Sequence, residues 1–181
     1  MKKIIVLLPI LLFAFGCNNG QSGLEEIVYP PANNAPAAND QTTTVKVAVI
    51  ALDDGGKTGP KIGCNDSVVY ITKTIPQTTQ PLNEAMKQLF ALNSEIVRGQ
   101  DSDQEFYNVI SKMESLKFDH ATLENGIGKI YLTGSFAGLG GVCDSPRVQA
   151  QIEETANQFK LILETYLNGK KVDWQKFSSQ K

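Results

Sequence analysis

An α+β fold around a single core is what this 181-residue sequence predicts. Alternating β-branched residues at 43–52 and 67–75, and on both sides of an Asn-Gly dipeptide at 116–133, mark strands. Between them, apolar residues recur at helical spacing at 82–90, 101–113 and 145–159. With 41% hydrophobic and 20% charged residues the chain has the composition of a folded soluble domain rather than a disordered one.

The chain opens with Lys2 and Lys3, an apolar run from Ile4 to Phe13, and Ala14-Phe15-Gly16 before Cys17. That order is an export signal over residues 1–16, too short to span a bilayer comfortably. Cys17 is the candidate lipidation site of a bacterial lipoprotein. Ala14 stands where the usual lipobox has Leu, and Ala14-x-Gly16 would also suit ordinary signal peptidase, which leaves simple secretion as the alternative. Residues 17–42 are rich in Asn, Ala, Pro, Gly and Gln and read as a disordered tether, with a reach of roughly 25 to 30 Å.

The folded domain is expected over 43–177, with 178–181 as a tail. Val45, Val47 and Val49 alternate along the first strand, which Asp53-Asp54-Gly55-Gly56 ends in a plain turn; the distal Glu of a calcium loop does not follow. The second strand, 67–75, stops at Pro76. Thr78-Thr79-Gln80-Pro81 opens a helix whose Leu82, Ala85, Met86, Leu89 and Phe90 form one stripe. Ser102 and Glu105 have capping-box spacing, and Phe106, Val109, Ile110 and Met113 share a helical face, so the spacing predicts a second helix over 101–113. A hairpin follows at 116–133 with Phe118 and Ile130 towards the core, then a glycine-rich loop at 134–141. Ser145-Pro146 begins a long helix with Val148, Ile152, Thr155, Ala156 and Phe159 on one side, and 161–167 is a last strand ended by Asn168-Gly169.

Cleavage before Cys17 removes Lys2 and Lys3, so 15 of the 17 basic residues face 19 acidic ones and the mature charge is near −4. Only Arg98 and Arg147 are arginine, and no basic face argues for nucleic acid. With Cys17 lipidated, Cys64 and Cys143 remain, an even number in an oxidising compartment, and are expected to form a disulfide. One histidine, His120, and two cysteines far apart in sequence supply no metal-ligand pattern. Ser135 stands one residue early for a nucleophile elbow and reads as a turn residue, and the glycine-rich loop lacks the lysine of a phosphate loop. No catalytic residue and no cofactor is assigned. The densest polar cluster is Cys143 to Arg147: Asp144 or Ser145 as helix cap, with Arg147 pairing to Asp144 or to a carboxylate across the fold. The alternative is an anion-binding helix start.

GVCDSPRVQAQIEETANQF at 141–159, supported by CNDSVV at 64–69, FYNV at 106–109, LTG at 132–134 and LNG at 167–169, carries a resemblance. From Val45 to about Phe177 the chain resembles the sporulation and spore germination domain, GerMN, of bacterial envelope lipoproteins. The resemblance implies a small mixed sheet with two to three helices packed on one side, similar to ring-building modules of secretion and sporulation channels. It also implies a non-catalytic role in envelope protein assembly. The expectation is therefore a lipid-anchored module contacting the membrane through its N-terminal lipid and envelope proteins through a sheet edge or helix face, without metal or nucleic acid. A lipoprotein that binds a small ligand or glycan is the alternative.

Overall fold

The computed structural model of the protein describes residues 41–99 and 103–179, with backbone alone at 178 and 179. The signal, Cys17, nearly all of the tether and Ser102 of the expected capping box lie outside the described residues. The fold is α+β: two four-stranded sheets and three helices.

The first sheet is antiparallel. β1 (Thr42–Ala51) and β2 (Ser67–Pro76) pair along their whole length, from Thr42 opposite Pro76 to Ala51 opposite Ser67. The valine alternation that predicts β1 buries Val45, Val47 and Val49, but Ala48 and Ile50 on the other face are buried as well. The turn after β1 is tied by the Asp54 carboxylate, which accepts bonds from the Thr58 N–H and hydroxyl and from the Ser67 hydroxyl. α1 (Pro81–Phe90) starts at its proline as expected and buries Leu82, Ala85, Met86 and Leu89.

The expected helix over 101–113 is not there. β3 (Ile96–Arg98) and β4 (Glu105–Tyr107) form a short antiparallel pair, Ile50 of β1 takes Tyr107 as its β-partner, and Val109–Lys112 is a 3₁₀ turn. Phe106, Val109, Ile110 and Met113 are all buried, so the apolar pattern marks core residues, carried by a short strand and a 3₁₀ turn in place of a helix. The reason is tertiary: the Val109 N–H, which an α-helix would bond internally, donates to the Gln151 side chain, and Asn108 donates to the Leu92 and Ser94 carbonyls.

The second sheet is mixed, in the order β5-β6-β7-β8. β5 (Lys117–Glu124) and β6 (Ile127–Thr133) meet at Asn125-Gly126, both at positive φ, the two-residue turn that the dipeptide predicts. α2 (Asp144–Asn157) then carries the chain to β7 (Ile162–Leu167), parallel to β6, and a second Asn-Gly turn leads into β8 (Lys170–Lys171) and α3 (Trp174–Ser179). α3 has no counterpart in the sequence reading. Ile130, Leu132, Val148 and Ile152 join Val47–Ile50 and Leu82, Met86 and Leu89 of α1 in one core, while Ala85 packs with Val45 and Ile75 in a smaller second cluster.

Candidate functional site

Cys64 and Cys143 form the expected disulfide, Cα atoms 5.7 Å apart, joining the loop before β2 to the start of α2. Such a bridge belongs to an oxidising, extracytoplasmic compartment. Among the described residues no helix is long and apolar enough to cross a membrane.

Around the bridge the predicted polar residues form a closed ion network. Arg147 Nε donates to Asp66 Oδ2 at 2.7 Å, and its Nη1 lies 3.5 Å from Asp144 Oδ1; Lys112 Nζ reaches Asp144 Oδ2 at 3.1 Å. The Asp66 side chain is only 1% exposed, so Arg147 is the counter-charge to a carboxylate that water does not reach. The guanidinium lies over the Tyr107 ring at 5.4 Å. Burial pushes the Asp144 carboxyl up, and the Gly140 amide, the Lys112 ammonium and the Gly141 amide outweigh it, leaving it below its ordinary value.

Two expectations change here. Neither Asp144 nor Ser145 caps α2: Cys143 holds the cap position without a side-chain bond, Asp144 reaches back to the loop amides, and the Ser145 hydroxyl is buried without a partner. The loop amides of Gly140 and Gly141, available to an external anion on the alternative reading, are filled by that carboxylate. Arg147 makes both pairings the sequence allowed, with Asp144 and, across the fold, with Asp66. The cluster is built to hold Cys64, the 3₁₀ turn and α2 together.

Other candidates fall apart in space. His120 lies on the solvent face of β5, stacked on Tyr131 with centroids 4.3 Å apart. Ser135 Oγ is 2.9 Å from Ser115 Oγ in the loop after β6. Glu154 accepts from the Tyr70 hydroxyl and Glu153 from Gln149, so these two adjacent carboxylates face different partners. Among the described residues no group of three His, Cys, Asp or Glu side chains could hold a metal.

No family model matches this chain. No curated protein and no solved structure matches it either.

A concave apolar surface lies elsewhere, and the sequence reading did not single it out. Pro81 and Leu82 of α1, Leu123 of β5, and Phe159 and Leu161 after α2 line a groove of about 500 Å³, with Gln80, Asn83 and Thr122 as its polar rim. Gly128 packs closely against two of these residues: a Cβ there would meet methyls of Leu161, Leu163 and Leu82 at 3.0 to 3.2 Å. β5 is an edge strand. Asn83 Oδ1 accepts the Ala121 N–H, covering one outward group of that edge. Glu124 and Ile127 flank the two-residue turn, so Leu123, opposite Gly128, is at a position whose N–H and C=O face away from β6. Leu123 is 61% exposed. The sequence signal was there: Leu123 is an apolar residue beside a turn, where polar residues are the rule.

Proposed function

We propose that this protein is a lipid-anchored, extracytoplasmic interaction module that assembles or regulates an envelope protein complex without turnover. The export signal ending at Cys17, the disulfide and the GerMN resemblance support that setting. The observation that carries the interaction itself is the β5 edge at Leu123 beside the apolar groove. An extended segment of an envelope protein adding to β5 would take main-chain bonds from Leu123 and place one apolar side chain between Leu82, Phe159 and Leu161. Asn83 closes the edge beyond it, which limits the added strand to a short one.

A photo-crosslinking residue at position 123 in intact cells tests this, compared with the same residue at exposed Lys57 and with a Cys17→Ala form. Recurrent envelope proteins captured at 123, absent at 57 and lost without the anchor, are the expected result. No capture at 123 from a well-expressed protein would remove the reading. It would favour the second one, a small apolar ligand in the same groove, which saturable thermal stabilisation would reveal.

A further inference from the structure

The second sheet has one face in the core, through Gly128, Ile130 and Leu132, and one face turned outward. Strand register orders the outward residues. Glu124, Ile127 and Ile162 form one row, Thr122, Lys129 and Glu164 the next, and His120, Tyr131, Tyr166 and Lys171 the third. Ile162 is 71% exposed, and the His120, Tyr131 and Tyr166 rings stack along the third row with centroids 4.3 and 5.1 Å apart.

Four charges cross this face diagonally, one per strand. Glu124 pairs with Lys129 at 2.6 Å, Glu164 pairs with Lys171 at 2.6 Å, and Lys129 and Glu164 are direct β-partners. The signs run minus, plus, minus, plus from β5 to β8. Such a line is self-complementary. A two-fold axis lying in the face and crossing the line at right angles between Lys129 and Glu164 reverses the order for a second copy. Every carboxylate then meets an ammonium: Glu124 meets Lys171 of the second copy, and Lys129 meets its Glu164. Laid on itself without that reversal, the line puts like on like, so charge selects one orientation.

We infer that this outward face is a two-fold, self-associating interface, its occupant a second copy of this chain. The charge line sets the register, while Ile127 and Ile162 on one side and the His120–Tyr131–Tyr166 row on the other supply apolar and aromatic area. With strands about 4.8 Å apart and outward rows about 6.8 Å apart, the line runs at about 45° to the strands, so this two-fold axis crosses the strands of the two copies at about 90°, as in orthogonal sheet packings. The dimer requires neither the lipid nor an envelope partner.

Sedimentation equilibrium of the full-length chain in density-matched detergent tests it by charge reversal. The wild type is expected at twice the monomer mass, with association weakening as salt is raised. Lys129→Glu alone and Glu164→Lys alone each set like charges against each other and should sediment as monomers. Mixed in equal amounts they become complementary again, and a dimer holding one of each should return. Glu124→Lys and Lys171→Glu, at side chains 54% and 59% exposed, repeat the test where folding is least at risk. A monomeric wild type, reversals that leave dimerisation intact, or folded variants of both pairs that do not recombine would each overturn the inference.

Discussion

Gln158 occupies the hydrogen-bonding edge of Lys46 as a neighbouring strand would. The Lys46 N–H donates to Gln158 Oε1 at 2.9 Å, and Gln158 Nε2 donates to the Lys46 carbonyl at 2.8 Å. Two residues along, the Ala48 N–H donates to Thr155 Oγ1 and its carbonyl accepts from Gln151 Nε2, both at 3.0 Å. Three polar side chains of α2 and the residue after it thus close the edge of β1 before β4 reaches it at Ile50. An uncovered edge of this length invites pairing with other chains.

Gln151 has the largest share. It also accepts the Val109 N–H at 2.9 Å and donates to Asn108 Oδ1 at 3.1 Å, with none of its surface exposed. Gln151→Leu leaves these groups buried without partners and should cost about 2 to 4 kcal/mol in urea unfolding. Gln158→Ala, at a more exposed site, should cost no more than about 1 kcal/mol.

Arg147→Ala strands the Asp66 carboxylate, which keeps the Asp53 N–H as its side-chain hydrogen-bond donor among the described residues. The expected loss is about 3 to 5 kcal/mol, because the remaining charge is buried. Asp66→Asn in the same background should recover part of it, since the uncompensated charge is gone. Equal stability of wild type and Arg147→Ala would contradict the structural role.

Acid should weaken this network in a defined direction. The folded Asp144 carboxyl titrates below its ordinary value, so its contribution is complete above the unfolded value of about 4 and disappears as pH falls through the lower folded one. Thermal midpoints measured from pH 6 down to pH 2 should therefore fall less steeply for Asp144→Asn than for wild type.

Removing the disulfide by Cys64→Ser with Cys143→Ser should cost up to about 4 kcal/mol, from the loop closed across a sequence separation of 79. Alkylation of the native protein without reductant should label neither cysteine. Labelling of both would contradict the bridge.

Gly134 tests the backbone. At φ +94° a Cβ would stand 1.8 Å from the Ser115 carbonyl oxygen, and both polar main-chain groups of Gly134 are bonded to the Asn168 amide. Gly134→Ala should destabilise by at least about 3 kcal/mol. Gly126→Ala, with a comparable φ but nothing within 4 Å, should cost only the conformational strain, about 1 kcal/mol.

Local chemistry determined much of this protein. Valine alternation placed β1, proline placed the start of α1, and the Asn-Gly dipeptides placed turns at 125–126 and 168–169, because each depends on a residue's own backbone preference or on its nearest neighbours in sequence. With Cys17 assigned to the lipid, cysteine count was enough to pair Cys64 with Cys143. The tertiary structure alone decided the stretch from 105 to 113. Its apolar residues fit a helical stripe, yet Ile50 and Gln151 claim its backbone groups from a distance of 40 residues or more. It alone decided the role of Gln151 and Gln158 too, since a polar residue on a helix has the same sequence signature whether it meets water or an unpaired strand. The partner of a buried polar group is a long-range fact, and the chain records only that a partner is required.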